Sequence, residues 1–109
     1  MTVENFAKTL GFEVLAMPSP DTLVDGAYVG DLLSWVMGKA GEGNVWITIM
    51  TNVNVVAVAM LREISAIVLA EGVEIEEEVV EAAKLRGVNV LRTQLTSYEA
   101  AKKISKVIQ

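Results

Sequence analysis

Polar residues that could contact a ligand follow four of the predicted β-strands. They are Gly30 and Asp31; Thr51, Asn52 and Asn54; Glu71 and Gly72; and Thr93, followed by Thr96 and Ser97. In an open α/β sheet, ligands bind beyond the carboxyl ends of the parallel strands, where loops lead into helix N-termini. The first eight of these residues are therefore predicted to line one edge of the sheet and to hold a small molecule. Helix capping is the competing interpretation for Asp31, Asn52 and Thr96, because Asp, Asn and Thr are common at helix starts.

The residue types that are absent exclude several kinds of catalysis. The 109 residues include no histidine and no cysteine, so a Ser-His-Asp triad, a thiolate nucleophile and a cysteine-type zinc site are excluded. The one carboxylate pair that we would place near a single crevice is Asp31 with Glu71. We predict a protein that is not an enzyme and needs no metal or cofactor, with an enzyme using this pair as the minor alternative.

The charge balance and hydropathy exclude two classes of partner. Nine Lys or Arg residues stand against fourteen Asp or Glu residues, for a net charge of −5, and no long basic stretch is present to bind nucleic acid. The longest unbroken apolar run, Val55 to Leu61, is far below the roughly 20 residues that a bilayer requires. No leader segment is visible, and we expect a cytoplasmic protein that binds neither nucleic acid nor membrane.

The charges are nevertheless distributed unevenly along the chain. Residues 71–81 contain six glutamates, whereas residues 84–109 contain six cations against only Glu99. Solvated helix faces explain this pattern, since acids favour helix starts and bases favour helix ends. The alternative is a basic C-terminal surface that meets an acidic partner.

Strand and helix signals alternate along the chain. Helices are predicted at 3–10, 32–40, 53–63, 75–86 and 97–107, and strands at 12–17, 23–30, 45–50, 65–70 and 88–91. The regular alternation after Val45 favours right-handed βαβ crossovers. We therefore predict a single α/β domain over residues 1–109, with a mostly parallel sheet of about five strands covered by helices. Trp35 and Trp46 are expected in its core.

The predicted helix at 53–63 is apolar nearly all the way round, so two of its sides must be covered. The sheet covers one side, and a second copy of the chain is the candidate for the other. A competing hypothesis follows: the chain is an interaction or assembly module, as a homodimer or as a subunit associated with a redox or metabolic enzyme, and binds no small ligand.

Three segments carry a family resemblance: Ala27-Tyr28-Val29-Gly30-Asp31-Leu32-Leu33-Ser34, Val45-Trp46-Ile47-Thr48 and Asn54-Val55-Val56-Ala57-Val58-Ala59. They resemble the DRTGG domain family, and more specifically its small stand-alone members, which are similar to the N-terminal domain of HPr kinase/phosphorylase. The resemblance extends over about residues 10–109. It implies an α/β fold like that N-terminal domain and a regulatory or ligand-sensing role, since relatives of the domain are fused to CBS pairs and to phosphotransacetylase.

The chain departs from the family pattern at one informative place. Many members carry an Asp-Arg-Thr-type run before the central helix, where this chain has Thr51-Asn52-Val53. Loss of the arginine weakens the case for an anionic ligand, although backbone amides at a helix start can also bind one. The phosphate loop of the kinase belongs to another domain and has no match here. The leading hypothesis is a non-catalytic module that binds a small molecule, with a nucleotide as one candidate, and passes the bound state to a partner enzyme.

Overall fold

The computed structural model describes residues 1–108 and contains one five-stranded sheet with helices on both faces. The elements in chain order are α1 (Val3–Leu10), β1 (Glu13–Ala16), β2 (Gly26–Val29), α2 (Leu33–Lys39), β3 (Asn44–Thr48), α3 (Val53–Leu61), β4 (Ala66–Leu69), α4 (Glu77–Leu85), β5 (Val90–Arg92) and α5 (Ser97–Ser105). The strand order is β1-β5-β4-β3-β2, with β1 antiparallel to β5 and every other pair parallel. The predicted fold class is confirmed.

The middle of the sheet is buried on both faces. All four residues of β4 are buried, as are the last four residues of β3, which is typical of a parallel sheet covered by helices. Trp46 and Ile67 belong to the core cluster under α2, α3 and α4, whereas Val45 and Val68 belong to the cluster under α1 and α5. The two clusters follow from the alternation of side chains along each strand.

The helix ends agree with their local sequence signals. The Thr2 hydroxyl accepts a hydrogen bond from the Asn5 amide, and Thr96 and Glu99 form the predicted capping box at the start of α5. The longest helices have nine residues. Within residues 1–108, no helix has the length and apolar character that crossing a membrane requires.

The apolar helix α3 is partly covered within the chain itself. It packs between α2 and α4, and Val55, Val56, Val58 and Ala59 are buried. Its outer side stays exposed at Val53, Met60 and Leu61. A second copy of the chain was predicted to cover the side of α3 that faces away from the sheet. The neighbouring helices α2 and α4 cover much of that side instead.

The two tryptophans differ in burial. Trp46 is fully buried, as predicted, but the expectation for Trp35 was wrong, because 58% of that residue is exposed. Val36 and Ala40 are buried at the inner side of α2. Successive side chains of an α-helix point about 100° apart, so Trp35, one residue before Val36, points away from that side. The Lys39 ammonium lies 5.1 Å from the Trp35 ring centroid, a cation–π contact at the surface.

A buried asparagine connects distant loops at the amino-terminal end of the sheet. Asn89 is 1% exposed. Its Oδ1 accepts a hydrogen bond from the Ser19 amide at 2.9 Å, and its Nδ2 donates to the carbonyls of Ser19 (2.8 Å) and Ser65 (2.9 Å). The side chain thus holds the loop after β1 against the starts of β4 and β5.

Candidate functional site

The carboxyl ends of the four parallel strands form one edge of the sheet, which we call the rim and define as residues 30–31, 48–54, 70–73 and 92–95. The rim segments follow the strand order β5, β4, β3 and β2. All the sequence-predicted ligand residues except Asn54 lie in the loops after these strands, and Asn54 lies in the first turn of α3. The structure therefore brings the predicted segments to one edge, in the order Thr93, Glu71 and Gly72, Thr51 and Asn52, and Gly30 and Asp31.

Asp31 connects the ends of β2 and β3. Its Oδ1 accepts hydrogen bonds from the Thr48 hydroxyl at 2.7 Å and from the Ile49 amide at 3.0 Å. The predicted role of Asp31 as the N-cap of α2 was wrong, since Leu32 occupies the cap position without a side-chain bond. The donors that hold Asp31 come from β3 and the residue after it, and no local sequence signal reveals them. Among the described residues, no donor reaches Oδ2 of this exposed carboxylate.

Gly30 is held closely by two aromatic residues. The Trp46 indole Nε1 donates a hydrogen bond to the Gly30 carbonyl at 2.9 Å. A Cβ at Gly30 would lie 2.9 Å from Cε2 of Tyr28, so a larger residue at this position would require the Tyr28 ring to move. This packing fixes the turn that presents Asp31.

The start of α3 forms one wall of an acidic groove. Asn52 Oδ1 accepts a hydrogen bond from the Asn54 amide at 2.9 Å, so the capping interpretation of Asn52 is confirmed, while the Asn54 side chain is exposed. A groove of about 610 Å³ lies beside Asn52, and its lining residues are Thr51, Asn52, Val53, Glu74, Ile75, Glu76, Glu78 and Val79. Three glutamates beside this groove disfavour an anionic ligand.

Glu71 and Gly72 form a turn whose backbone is already hydrogen-bonded. Both residues have left-handed backbone conformations, with φ of 63° and 62°. The Glu71 amide donates to the Leu95 carbonyl, and the Gly72 amide donates to the Thr93 carbonyl, both at 2.8 Å. A Cβ at Gly72 would clash with the Gln94 side chain. These two amides therefore hold the β5 loop and are not free to bind an anion.

The β5 end of the rim carries cations that the sequence analysis did not select. Arg92 donates to the Glu13 carboxylate from Nε at 2.9 Å and from Nη2 at 3.0 Å, and from Nη1 to the Val73 carbonyl at 3.3 Å. The hydrogen bond from Arg92 lowers the pKa of Glu13, and the same bond raises the pKa of Arg92. The sequence offers one indication that Arg92 lies at the rim: it directly precedes Thr93, a predicted ligand residue.

Thr93 and Lys103 border a groove of about 330 Å³ beside this ion pair. The Thr93 hydroxyl accepts a hydrogen bond from the Leu95 amide at 3.2 Å. The Lys103 ammonium donates to the Leu10 carbonyl at 3.2 Å, which uses one of its three donors. Among residues 1–108, the other two donors of Lys103 have no protein acceptor.

The structure does not bring the predicted Asp31 and Glu71 pair onto neighbouring strands. Asp31 follows β2 and Glu71 follows β4, with β3 between them, so their strands are about 10 Å apart. Within residues 1–108, no group of acidic side chains is arranged to hold a metal ion.

A third groove, of about 480 Å³, lies at the opposite edge of the sheet, where the strands begin. Its lining includes the carboxylates of Asp25, Glu42 and Glu63. A hydrogen bond with Glu63, followed by the charge of Glu63, raises the pKa of Glu42. This groove was not predictable from the sequence, because its acids come from three separate loops.

The chain is similar to known proteins in sequence pattern and in fold. The sequence pattern of the DRTGG domain matches residues 5–107, which confirms the resemblance noted in the sequence. A similar solved structure contains the CBS and DRTGG domains of the regulatory region of Clostridium perfringens pyrophosphatase, complexed with the activator diadenosine tetraphosphate. The two chains are 18% identical with a TM-score of 0.75, and the alignment covers 98% of this chain and 47% of the other. This chain thus spans about half of that regulatory region, and no curated protein sequence matches it.

Proposed function

The chain belongs to the DRTGG domain family, and from that premise we propose that it is a non-catalytic regulatory module in the cytoplasm. In this proposal a single domain binds a nucleotide at the rim and transmits the bound state to a partner enzyme. The proposed ligand contacts are Gly30, Asp31, Thr51, Asn52, Asn54, Glu71, Gly72 and Thr93, together with Arg92 and Lys103.

The similar pyrophosphatase structure supports a regulatory role. That region contains a DRTGG domain and was solved with a nucleotide activator. The likeness in sequence is low, at 18% identity, so it supports the class of function and leaves the ligand and the partner of this chain as parts of the proposal.

The charge distribution along the rim is the observation that carries the choice of ligand position. Glutamates 74, 76 and 78 line the groove beside Asn52, whereas the groove beside Thr93 has two cations, Arg92 and Lys103, and one carboxylate, Glu13. A phosphate is repelled by the groove beside Asn52 and attracted to the groove beside Thr93, whose net charge is positive. Arg92 uses three of its five donors on protein acceptors, so both cations retain donors for phosphate oxygens.

The rest of the rim suits the uncharged parts of a nucleotide. In the part of the chain that the structure describes, no donor reaches Oδ2 of Asp31, and Asn54 presents an exposed amide with both donors and an acceptor. These groups can bind ribose hydroxyls or base edges. Asn54 follows β3, two strands from β5, and Asp31 follows β2, three strands from β5. At about 4.8 Å per strand, a nucleotide can reach from Thr93 to either residue.

A thermal-shift titration with nucleoside mono-, di- and triphosphates and with dinucleoside polyphosphates tests the proposal. A ligand at ten times its dissociation constant stabilises a protein by about 1.4 kcal/mol, and we expect the melting temperature to rise by roughly 5 to 10 °C. The Lys103→Gln variant should reduce this rise, whereas Lys84→Gln, which alters an exposed lysine paired with Glu81 on α4, should leave it unchanged. A melting temperature that no nucleotide moves at millimolar concentration contradicts the proposal.

The non-catalytic part has its own test. Chromatography of each binding nucleotide after incubation with the protein should recover it unchanged. If the wild-type protein converts a nucleotide and the Asp31→Asn or Glu71→Gln variant does not, the result would instead support the enzyme alternative.

A further inference from the structure

The two edges of the sheet are protected to very different degrees. A free strand edge presents unpaired N–H and C=O groups to solvent, and proteins block such edges with charges, prolines or bulges. At the β1 edge, a register shift lies between Val14 and Ala16, Glu13 is paired with Arg92, and Pro18 follows the strand. At the β2 edge, Gly26-Ala27-Tyr28-Val29 contains no charge and no proline, and its register with β3 runs without a shift.

The β2 edge is ready to pair with another strand. Gly30 donates its amide to the Ile47 carbonyl, and bonding residues alternate along a parallel ladder. The backbone groups of Ala27 and Val29 therefore point away from β3, toward solvent. Both of these side chains are exposed, and exposed apolar residues continue beyond the strand at Leu32 and Trp35, each 58% accessible.

We propose that β2 pairs antiparallel with β2 of a second copy of this chain, which gives a dimer with a continuous ten-stranded sheet. A two-fold axis at Ala27 places it opposite Ala27 of the partner subunit, and Asp25 then faces Val29 of the partner subunit. The neighbouring register, centred on Tyr28, would place Asp25 opposite Asp31 of the partner subunit, and like charges in such positions are destabilising. The uncharged strand is thus complementary to itself in the register centred on Ala27.

The difference between the two edges also limits the assembly to two copies. Each chain has one unprotected edge, and pairing through a two-fold axis uses that edge in both subunits. The protected β1 edges remain at the two ends of the extended sheet. A dimer, and not an open fibre, is the expected product.

Light scattering during size-exclusion chromatography, across a dilution series, measures the dimer directly. We expect Val29→Lys to raise the dimer dissociation constant by at least about tenfold, because a lysine on an edge strand opposes pairing. Val14→Lys is the matched control, since Val14 is 48% exposed on β1 and Val29 is 49% exposed on β2, and it should leave the dimer unchanged. Circular dichroism shows whether each variant folds.

A cysteine cross-link gives a second, independent measurement, because the natural chain contains no cysteine. Paired residues in an antiparallel ladder have Cα atoms about 5.5 Å apart, within the range of a disulfide. Under mild oxidation, Ala27→Cys should form a covalent dimer faster than Val14→Cys does. A wild-type chain that is monomeric at every concentration overturns the proposal, as does a Val29→Lys dimer of unchanged affinity or equal cross-linking of the two cysteine variants.

Discussion

Replacing Asn89 with alanine should cost a large part of the stability of the fold. The change removes one acceptor and two donors, which serve the amide of Ser19 and the carbonyls of Ser19 and Ser65. Each hydrogen bond contributes about 1 kcal/mol net, so we expect a loss of about 3 kcal/mol. This loss is substantial beside a total stability of roughly 5 to 15 kcal/mol.

Urea unfolding followed by circular dichroism measures this loss, and a thermal scan should show a melting temperature lower by roughly 10 to 20 °C. Asn54→Ala is the matched control, because Asn54 is exposed, and its effect should stay within about 0.5 kcal/mol. A loss below about 1 kcal/mol in Asn89→Ala would refute the reasoning, since it would mean that water replaces the three bonds without cost.

The Asn89→Asp variant extends the test to pH. A carboxylate at this position can accept a hydrogen bond from the Ser19 amide, but it also faces two carbonyl oxygens. Burial and repulsion by these carbonyl oxygens should raise its pKa in the folded state. A group whose pKa is raised on folding stabilises the protein below its unfolded pKa and loses that contribution as the pH rises through the folded value. The variant should therefore be closer to the wild type at pH 3 than at pH 7, and the opposite order would contradict the argument.

Three further perturbations have defined expectations. Arg92 lowers the pKa of Glu13 from its ordinary value of 4.5. The pair therefore stabilises the fold above that pH and loses its effect as the pH falls through the lowered value. In chemical unfolding, Glu13→Gln should reduce this fall in stability at acid pH, which we call the acid limb. Thr96→Ala removes the cap of α5 and should cost about 1 kcal/mol in the same assay. Gly72→Ala should cost about 1 to 2 kcal/mol for its left-handed conformation, and Gln94→Ala in the same chain should recover little of this cost, because the end of the exposed Gln94 side chain can move aside.

Each of these results has an outcome that contradicts it. An acid limb of unchanged slope in Glu13→Gln would show that the ion pair does not contribute to folding. Full stability of Thr96→Ala would show that water caps α5 as well as the threonine does. Recovery of most of the Gly72→Ala loss by Gln94→Ala would show that the clash, and not the backbone conformation, causes the loss.

The order and type of the ten elements were predictable from sequence, because local signals are strong here. Glycine after α1, the Thr96 capping box and the apolar run of β4 each depend on adjacent residues. The ends of several elements differ from prediction by one to three residues, as for α4, which begins at Glu77 and not at residue 75.

The contents of the rim were predictable only in part. Parallel strands bring their carboxyl ends together, so the segments at Asp31 and Thr93 were found. The bonds of Asp31 to Thr48 and of Arg92 to Glu13 cross 17 and 79 residues of chain, and sequence periodicity does not report such contacts. Trp35 was misplaced because a short helix offers too few turns to show which side is buried.

The position of β5 has a consequence for the order in which the chain folds. β5 is the last strand in sequence, yet it lies between β4 and β1. The βαβ segments from β2 to β4 can pair as soon as they are synthesised, whereas β1 has no neighbour in the sheet until β5 inserts. Such pairing of distant residues slows folding, so we expect β1 to be protected from hydrogen exchange last, although it is synthesised before the other four strands of the sheet.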